Sequence, residues 1–410
     1  MTRNDPSSTS WLVLFVGTLL LGFLDGISCA DDAGPPAPAK PVTLIDSTIR
    51  ITANDVRPHV QFLASPDLKG RGPEGKPAAR EYIIGHFEKL GLKPMFDGDF
   101  LQPLPGPVDE NGKPTYVGAN IGAYLPADNR AGANEWIVLN AHYDHLGVRN
   151  GRIYPGADDN ASSMSMLLET ARQLAHSKQL PHRNIAFVAF DLEEQLLWGS
   201  RWFVAHPPCE PEQMKFCITA DLLGRSLGNL PMRTVFIMGT ERTPEFREYL
   251  TAANPSGSLE LGFLGADMVG TRSDYGPFRD AEIPFLFFST GEHPDYHTPN
   301  DTPDKIDYEK LADISTTMSR LCAHLGEMSE VPKWRLPDPT DPIDAKTMNR
   351  VTEALLKADE EGRIQLSGFH RTFVSQLQSK TGGAMRRGRI SAEERVWLIR
   401  ASQFLLISVF

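Results

Sequence analysis

The chain has 410 residues, 41% of them hydrophobic and 23% charged. That is too long for one small domain and sufficient for a sizeable core, and it excludes wholesale disorder. A formal net charge of −11 without a long basic run argues against nucleic acid or an anionic membrane as partner.

Taken from the N-terminus, residues 1–30 read as a secretory signal peptide. Arg3 precedes an apolar run from Trp11 to Leu24, 14 residues that are short for a bilayer span, and Ser28-Cys29-Ala30 supplies small residues for cleavage. The mature chain is therefore expected outside the cytoplasm, secreted or in the periplasm or cell envelope, without a stable membrane span. An uncleaved N-terminal anchor is the alternative. Removal of the signal leaves Cys209, Cys217 and Cys322, too few for a disulfide framework, with one Cys209–Cys217 bridge or three thiols both open. Residues 31–44, rich in Pro and Ala, form a linker. A folded domain spans 45–331. In it the spacing of Tyr82, Ile83, Phe87 and Leu90 predicts a helix over 80–90, stopped by Gly91. Trp136 to Leu139, Ile185 to Phe190, Phe216 to Ala220 and Pro284 to Ser289 are apolar strands, and Met164 to Leu174 is an amphipathic helix. Continuous apolar strands alternating with helices imply an α/β fold with a sheet buried on both faces. A second linker covers 332–343, and 344–410 forms a tail of about three helical segments.

The chemistry lies at the strand ends, where open α/β sheets bind ligands. The first strand runs into Ala141-His142-Tyr143-Asp144-His145, and the second into Asp191-Leu192-Glu193-Glu194. The third ends at Asp221, and the fourth leads to Asp295-Tyr296-His297. Asp158 and Asp159 open the helix that starts at Ala161. Imidazole and carboxylate donors without thiolate suit a catalytic zinc site, and five such ligands suit two ions if one carboxylate bridges. The expected ligands are His142, Asp158, Glu194, Asp221 and His297, with Asp158 as the bridge. Asp144, two residues after His142, can hold its second ring N–H, and Glu193 can act as general base on the metal-bridged water. Each pair alone is weak, since 52 acidic residues in 410 give roughly seven adjacent acidic pairs by chance. The conjunction of all five positions at strand ends and a helix start carries the reading.

In this order AHYDHLG, PGADDNASS, DLEEQLLWGS, ADLLG and DYHTPNDTPDKI resemble the dizinc exopeptidases of metallopeptidase family twenty-eight, which include leucine-type aminopeptidases and the glutamate carboxypeptidase II group. The stretch FLASPDLKGRGPEGKPAAREYI is similar to that family's N-terminal segment, so the likeness covers about residues 45–330. It implies a mixed, mostly parallel central sheet with helices on both faces, two zinc ions on the five ligands above, and Glu193 as base. It also implies Asp144 as the orienter of His142, and a cis peptide after the bridging acid, here Asp158–Asp159. Tyr296 is a candidate for binding substrate or the oxyanion, with ring packing as the other option. Leu196 stands where the family usually has Gly, and Tyr275 where His is common. His145, His176, His182, His206 and His293 fit no ligand role and are read as surface or loop residues.

The implied activity is hydrolysis of N-terminal peptide bonds by an aminopeptidase acting on peptide substrates. Carboxypeptidase action on acidic dipeptides is the first alternative, for which Arg225 or Arg272 would supply a basic pocket. Glutaminyl cyclisation and a metal-free binding ectodomain follow. In the tail, the segments around Gly362 and Gly388 resemble degenerate EF-hand loops that lack most calcium-ligand positions. A generic helical tail packed on the domain is the alternative.

Overall fold

The six residues from Ile185 to Phe190 carry apolar side chains with no polar alternation, and together with Asn184, which opens the strand, all seven are buried. Such a segment is stable only as an inner strand covered on both sides. In the computed structural model, which describes residues 48–128, 132–177 and 180–410, it lies near the middle of a nine-stranded sheet. The expectations for residues 1–44, and the domain start expected at 45, lie outside the described residues.

The strands are β1 (Lys93–Pro94), β2 (Leu101–Pro105), β3 (Tyr116–Leu125), β4 (Trp136–His142), β5 (Val148–Arg149), β6 (Arg152–Ile153), β7 (Asn184–Phe190), β8 (Met214–Ala220), β9 (Thr234–Met238), β10 (Glu260–Leu264) and β11 (Phe285–Ser289). The sheet order is β1-β3-β7-β4-β8-β11-β9-β10, with β2 paired to β3 and β5–β6 forming a separate small hairpin. Strands β7, β4, β8 and β11 are mutually parallel neighbours, whereas β3 joins β7, and β9 joins β11, antiparallel. Four adjacent strands therefore end on the same edge of the sheet.

Ten helices complete the described residues: α1 (Ala53–Leu63), α2 (Lys76–Lys89), α3 (Ser163–Ala175), α4 (Trp198–Ala205), α5 (Phe246–Ala253), α6 (Tyr275–Asp280), α7 (Tyr308–Glu327), α8 (Ile343–Glu360), α9 (Gly368–Arg387) and α10 (Ala392–Ser408). Helices α1, α3 and α7 pack together, with α3 and α7 also lying on β4 and β7, while α4 packs on α6 and α6 lies against β8 and β11. The starts of the longer helices are set by side chains: Asp307 accepts the Lys310 N–H at 3.0 Å, and Ser391 and Glu394 cap α10 reciprocally. The fold is the mixed, mostly parallel α/β arrangement implied by the sequence. The antiparallel pair β2–β3, strand β9 and the edge strand β10 were not anticipated.

The tail is not a separate body. Met348 and Val351 of α8 and Leu405 of α10 belong to one apolar cluster with Phe236, Met238 and Leu264 of β9 and β10. Asp344 accepts the Gly265 N–H at 2.7 Å, and Thr347 donates to the Phe263 carbonyl at 2.7 Å. The acidic residues that keep calcium-ligand character are matched by arginines: Asp359 pairs with Arg371 at 2.6 Å and Glu394 with Arg387 at 2.7 Å. Cys209, Cys217 and Cys322 are all free, which closes the option of a Cys209–Cys217 bridge.

Candidate active site

Each strand of the parallel set delivers one part of the site. His142 is the last residue of β4, and Asp221 directly follows β8. Glu193 and Glu194 stand just beyond β7, and His297 lies in the loop after β11. The chain turns sharply at these ends. Leu192, Leu222 and His297 have φ of 57°, 58° and 55°, the left-handed region that costs an L-residue about 1–2 kcal/mol. Backbone strain next to three of the polar groups marks this edge as functional.

Two clusters of donor groups result. His142, Glu193 and Asp221 form one, and His145, Asp159, Glu194 and His297 the other; within each, one donor atom per residue lies within 4.8 Å of the rest. A single carboxylate joins them. Asp159 Oδ1 is 3.3 Å from His142 Nε2, and Asp159 Oδ2 is 3.0 Å from His297 Nε2. Asp221 Oδ1 is 3.4 Å from His142 Nε2, and Glu194 Oε2 is 3.2 Å from His297 Nε2. Glu193 stands slightly back, its Oε2 4.0 Å from His142 Nε2.

The expectation for Asp158 is corrected by one residue. Its carboxylate is turned away: Oδ1 accepts from Ser162 Oγ at 3.0 Å and from the Gly224 N–H at 2.5 Å, and Oδ2 faces His293 Nε2 at 3.3 Å. Asp158 therefore ties the loop to the start of α3 and to the segment after Asp221, and Asp159 presents its carboxylate to both clusters. The cis peptide is likewise Asp159–Asn160, one position beyond the expected Asp158–Asp159. His145 and His293, read as surface or loop residues, are both buried. His145 Nδ1 contacts Glu194 Oε1 at 2.7 Å, and His293 supports Asp158.

Asp144 lies beside His142 in two ways. His142 Nδ1 is 3.1 Å from the Asp144 carbonyl oxygen and 3.6 Å from Oδ1, and Oδ1 also accepts the Glu193 N–H at 3.1 Å. Nδ1 is thereby occupied and Nε2 left facing the centre of the site. Tyr296 stacks on His297 with ring centroids 3.9 Å apart. Burial and the surrounding carboxylates push its phenol pKa strongly up, so the group stays a proton donor. Tyr275 is a core residue, fully buried and stacked on Phe285 and Phe287 with its hydroxyl on the Gly270 carbonyl. Leu196 has φ 61° and is 80% exposed at the rim, where glycine would meet no strain.

Two supporting residues carry no periodic signal and were missed. Arg71 is fully buried and uses all five of its N–H groups on carbonyl oxygens: those of Tyr143, Leu63, Pro155, Gly156 and Asp159, at 2.7–3.0 Å. Burial lowers its pKa to about 10 against the pull of Asp159, Asp301, Asp144 and Glu194. Asp301 accepts the backbone N–H groups of Asp158 and Asp159 at 3.0–3.1 Å. Between them they fix the turn that aims Asp159. The only signal was membership in quoted motifs, Arg71 in LKGRGPEG and Asp301 in DYHTPND.

The electrostatics ask for cations. Burial and the charges of Asp221, Asp274 and Asp159 push the Glu193 carboxyl well up, against the pull of His142. Buried Asp274 is pushed up to about 7 for the same reason, with Asp144 and Asp221 as neighbours. Burial disfavours charge on His297, yet Asp159 and Glu194 raise its pKa to about 10. His142 Nε2 and Asp221 Oδ1 are buried without a hydrogen-bond partner although they face one another. Buried polar atoms are rarely left so, and converging N and O donors of this kind fit divalent zinc.

Residues 120–322 match the model described as peptidase family M28. The chain belongs to this family. Among curated relatives of this M28 chain, aminopeptidase YwaD of Bacillus subtilis (strain 168) is 31% identical over 184 residues, 43% of this chain and 38% of that protein. The chain thus spans well under half the length of that relative. The solved zinc aminopeptidase BSAP of Bacillus subtilis shares the fold at TM-score 0.55 and 18% identity, covering 70% of this chain and 99% of BSAP. So does the glutaminyl cyclase of Porphyromonas gingivalis, at TM-score 0.52 and 20% identity, covering 67% and 98%. The donor set itself, imidazole and carboxylate without thiolate, suits zinc. Among the described residues no helix is long and apolar enough to cross a membrane.

Proposed function

We propose that this M28 chain is a zinc-dependent aminopeptidase that hydrolyses N-terminal peptide bonds. The observation that carries the reading is the Asp159 carboxylate, whose two oxygens face imidazoles of two different clusters. We assign one zinc to His142, Asp159 and Asp221 and a second to Asp159, Glu194 and His297. His145 holds the other oxygen of Glu194. When bound, such ions polarise the scissile carbonyl and make water a nucleophile near neutral pH.

The remaining steps belong to the chain's own residues. Glu193 belongs to the cluster of His142 and Asp221 but stands back in it without being needed as a ligand, and its raised proton affinity suits a general base. It takes a proton from the attacking water and returns it to the departing amine. Asp144 keeps His142 in the tautomer and orientation that presents Nε2. Tyr296, held protonated, donates to the oxygen that gains charge in the tetrahedral intermediate.

The acidic-dipeptide carboxypeptidase alternative loses one of its two candidate cations. Arg272 is neutralised by Glu292 at 2.7 Å, whereas Arg225 shares Asp295 with Lys305, at 3.1 and 2.9 Å. The fold likeness to a glutaminyl cyclase does not favour cyclisation, because that likeness extends equally to aminopeptidases. The test is a zinc-loaded assay on one peptide series with free and with acetylated N-termini. Release of the first residue from free peptides only is expected. Cleavage of acetylated peptides from the C-terminus, or no hydrolysis of either, would overturn the proposal.

A further inference from the structure

The sheet is terminated differently at its two ends. At one end β1 and β2 lie on β3, and they carry Pro94, Pro103 and Pro105, which have no N–H to offer a further strand. The other end is β10, whose run Leu261-Gly262-Phe263-Leu264 contains neither proline nor charge. A strand of that kind at a sheet edge is a template for pairing with another chain.

The ladder sets which backbone groups of β10 are turned outward. The Glu260 N–H is bonded to the Arg233 carbonyl, just ahead of β9, at 3.0 Å. Backbone groups alternate in direction along a strand, so Glu260, Gly262 and Leu264 face β9, and Leu261, Phe263 and the following Gly265 face outward. Helix α8 meets these same three residues. Arg350 donates to the Leu261 carbonyl at 3.3 Å, Thr347 Oγ1 donates to the Phe263 carbonyl at 2.7 Å, and Asp344 Oδ1 accepts the Gly265 N–H at 2.7 Å. The three side chains are three residues apart on one side of the helix, which runs against the direction of the strand. Arg395 of α10 pairs with Asp344 at 3.1 Å and with Asp267 at 2.6 Å, which ties the last helix to the same corner. Strand β10 lies within residues 120–322 that match the family, and α8 and α10 lie beyond them.

We infer that α8 guards the sheet edge: Asp344, Thr347 and Arg350 stand in for a further strand and keep β10 from pairing with β10 of a second copy of this chain. A second copy is the partner that fits, because an uncharged edge strand is complementary to itself about a two-fold axis and needs only its own free N–H and C=O groups. The inference is independent of the aminopeptidase reading, since it concerns the lateral edge of the sheet and not the strand ends that carry the donor clusters.

The experiment measures the molar mass of the full chain by light scattering over a concentration series. The samples are the wild type, the triple variant Asp344→Ala/Thr347→Val/Arg350→Met, and the triple variant with Leu261→Pro added. Proline at 261 removes an outward N–H and leaves the bonds to β9 in place. The mass of the triple variant is expected to rise with concentration to about twice that of the wild type, and Leu261→Pro to return it to the wild-type value. Folding is checked by circular dichroism. If the triple variant does not fold, Thr347→Val/Arg350→Met takes its place, because it keeps Asp344 and its pair with Arg395. If the proline variant does not fold, hydrogen exchange decides: slowed exchange of the Leu261 and Phe263 amides in the associated form upholds pairing through β10, and unchanged exchange rejects it. A folded guard variant with the wild-type mass at every concentration, or a doubled mass that Leu261→Pro leaves in place, would overturn the inference.

Discussion

Strands β7, β4, β8 and β11 and the C-terminal helices α8 and α10 add different things to the same sheet. The strands bring charged and imidazole groups to a sheet edge, each at the end of an apolar run. The helices bring mainly packed apolar side chains, with Asp344 and Thr347 bonding the backbone at β10, the strand at the sheet's edge. In the first region a residue's type announces its use, because a carboxylate beside a buried strand end has few structural reasons to be there. In the second, Met348 or Leu405 is indistinguishable by type from any core residue. Chemistry is thus concentrated in a few conspicuous residues, whereas packing is spread through ordinary ones.

That contrast can be broken most easily at Glu193. Glu193→Gln is expected to lower kcat by about 10²–10⁴-fold with zinc content unchanged, since the amide keeps shape and loses proton transfer. The tail counterpart is Arg371→Ala, which removes the partner of Asp359 and leaves kcat unchanged in the same assay. Equal losses in both variants would erase the distinction between the regions. A smaller effect, on stability, is expected from Arg71→Lys. Lysine has three donors for five carbonyls, so at least two buried carbonyl groups lose their partner, at a cost of about 3 kcal/mol. A wild-type denaturation midpoint in this variant would show that the turn carrying Asp159 is held by other means. The smallest effect runs in the opposite direction. Leu196→Gly relieves a left-handed leucine that buries little, and is expected to raise stability by about 0.5–1 kcal/mol in chemical denaturation.

Legibility in the sequence followed the same division. The four central strands, the helix over α3 and the helical tail were readable because apolar periodicity is a local property. Strands β9 and β10 and the β2–β3 pair, shorter or interrupted by Gly, Asn and Pro, depend on neighbours that a local pattern does not reveal. At the site, the choice between Asp158 and Asp159 could not be made by residue type, since both are aspartates. It is made by the backbone: Asp159 leaves helical geometry at φ −106° and ψ 92°, while its neighbour stays bonded to Ser162 and Gly224. His145 was misread for a related reason. It sits three residues after His142, on a turn whose direction only the packing of Arg71 against the Tyr143 carbonyl discloses.

The bridging role of Asp159 is the claim on which the two-ion account depends, and zinc counting by elemental analysis tests it directly. The wild type and Asp158→Asn are expected to retain close to two zinc ions per chain, and Asp159→Asn to lose most of both, because one carboxylate serves both clusters. Full zinc content in Asp159→Asn, or loss of zinc only in Asp158→Asn, would contradict the account.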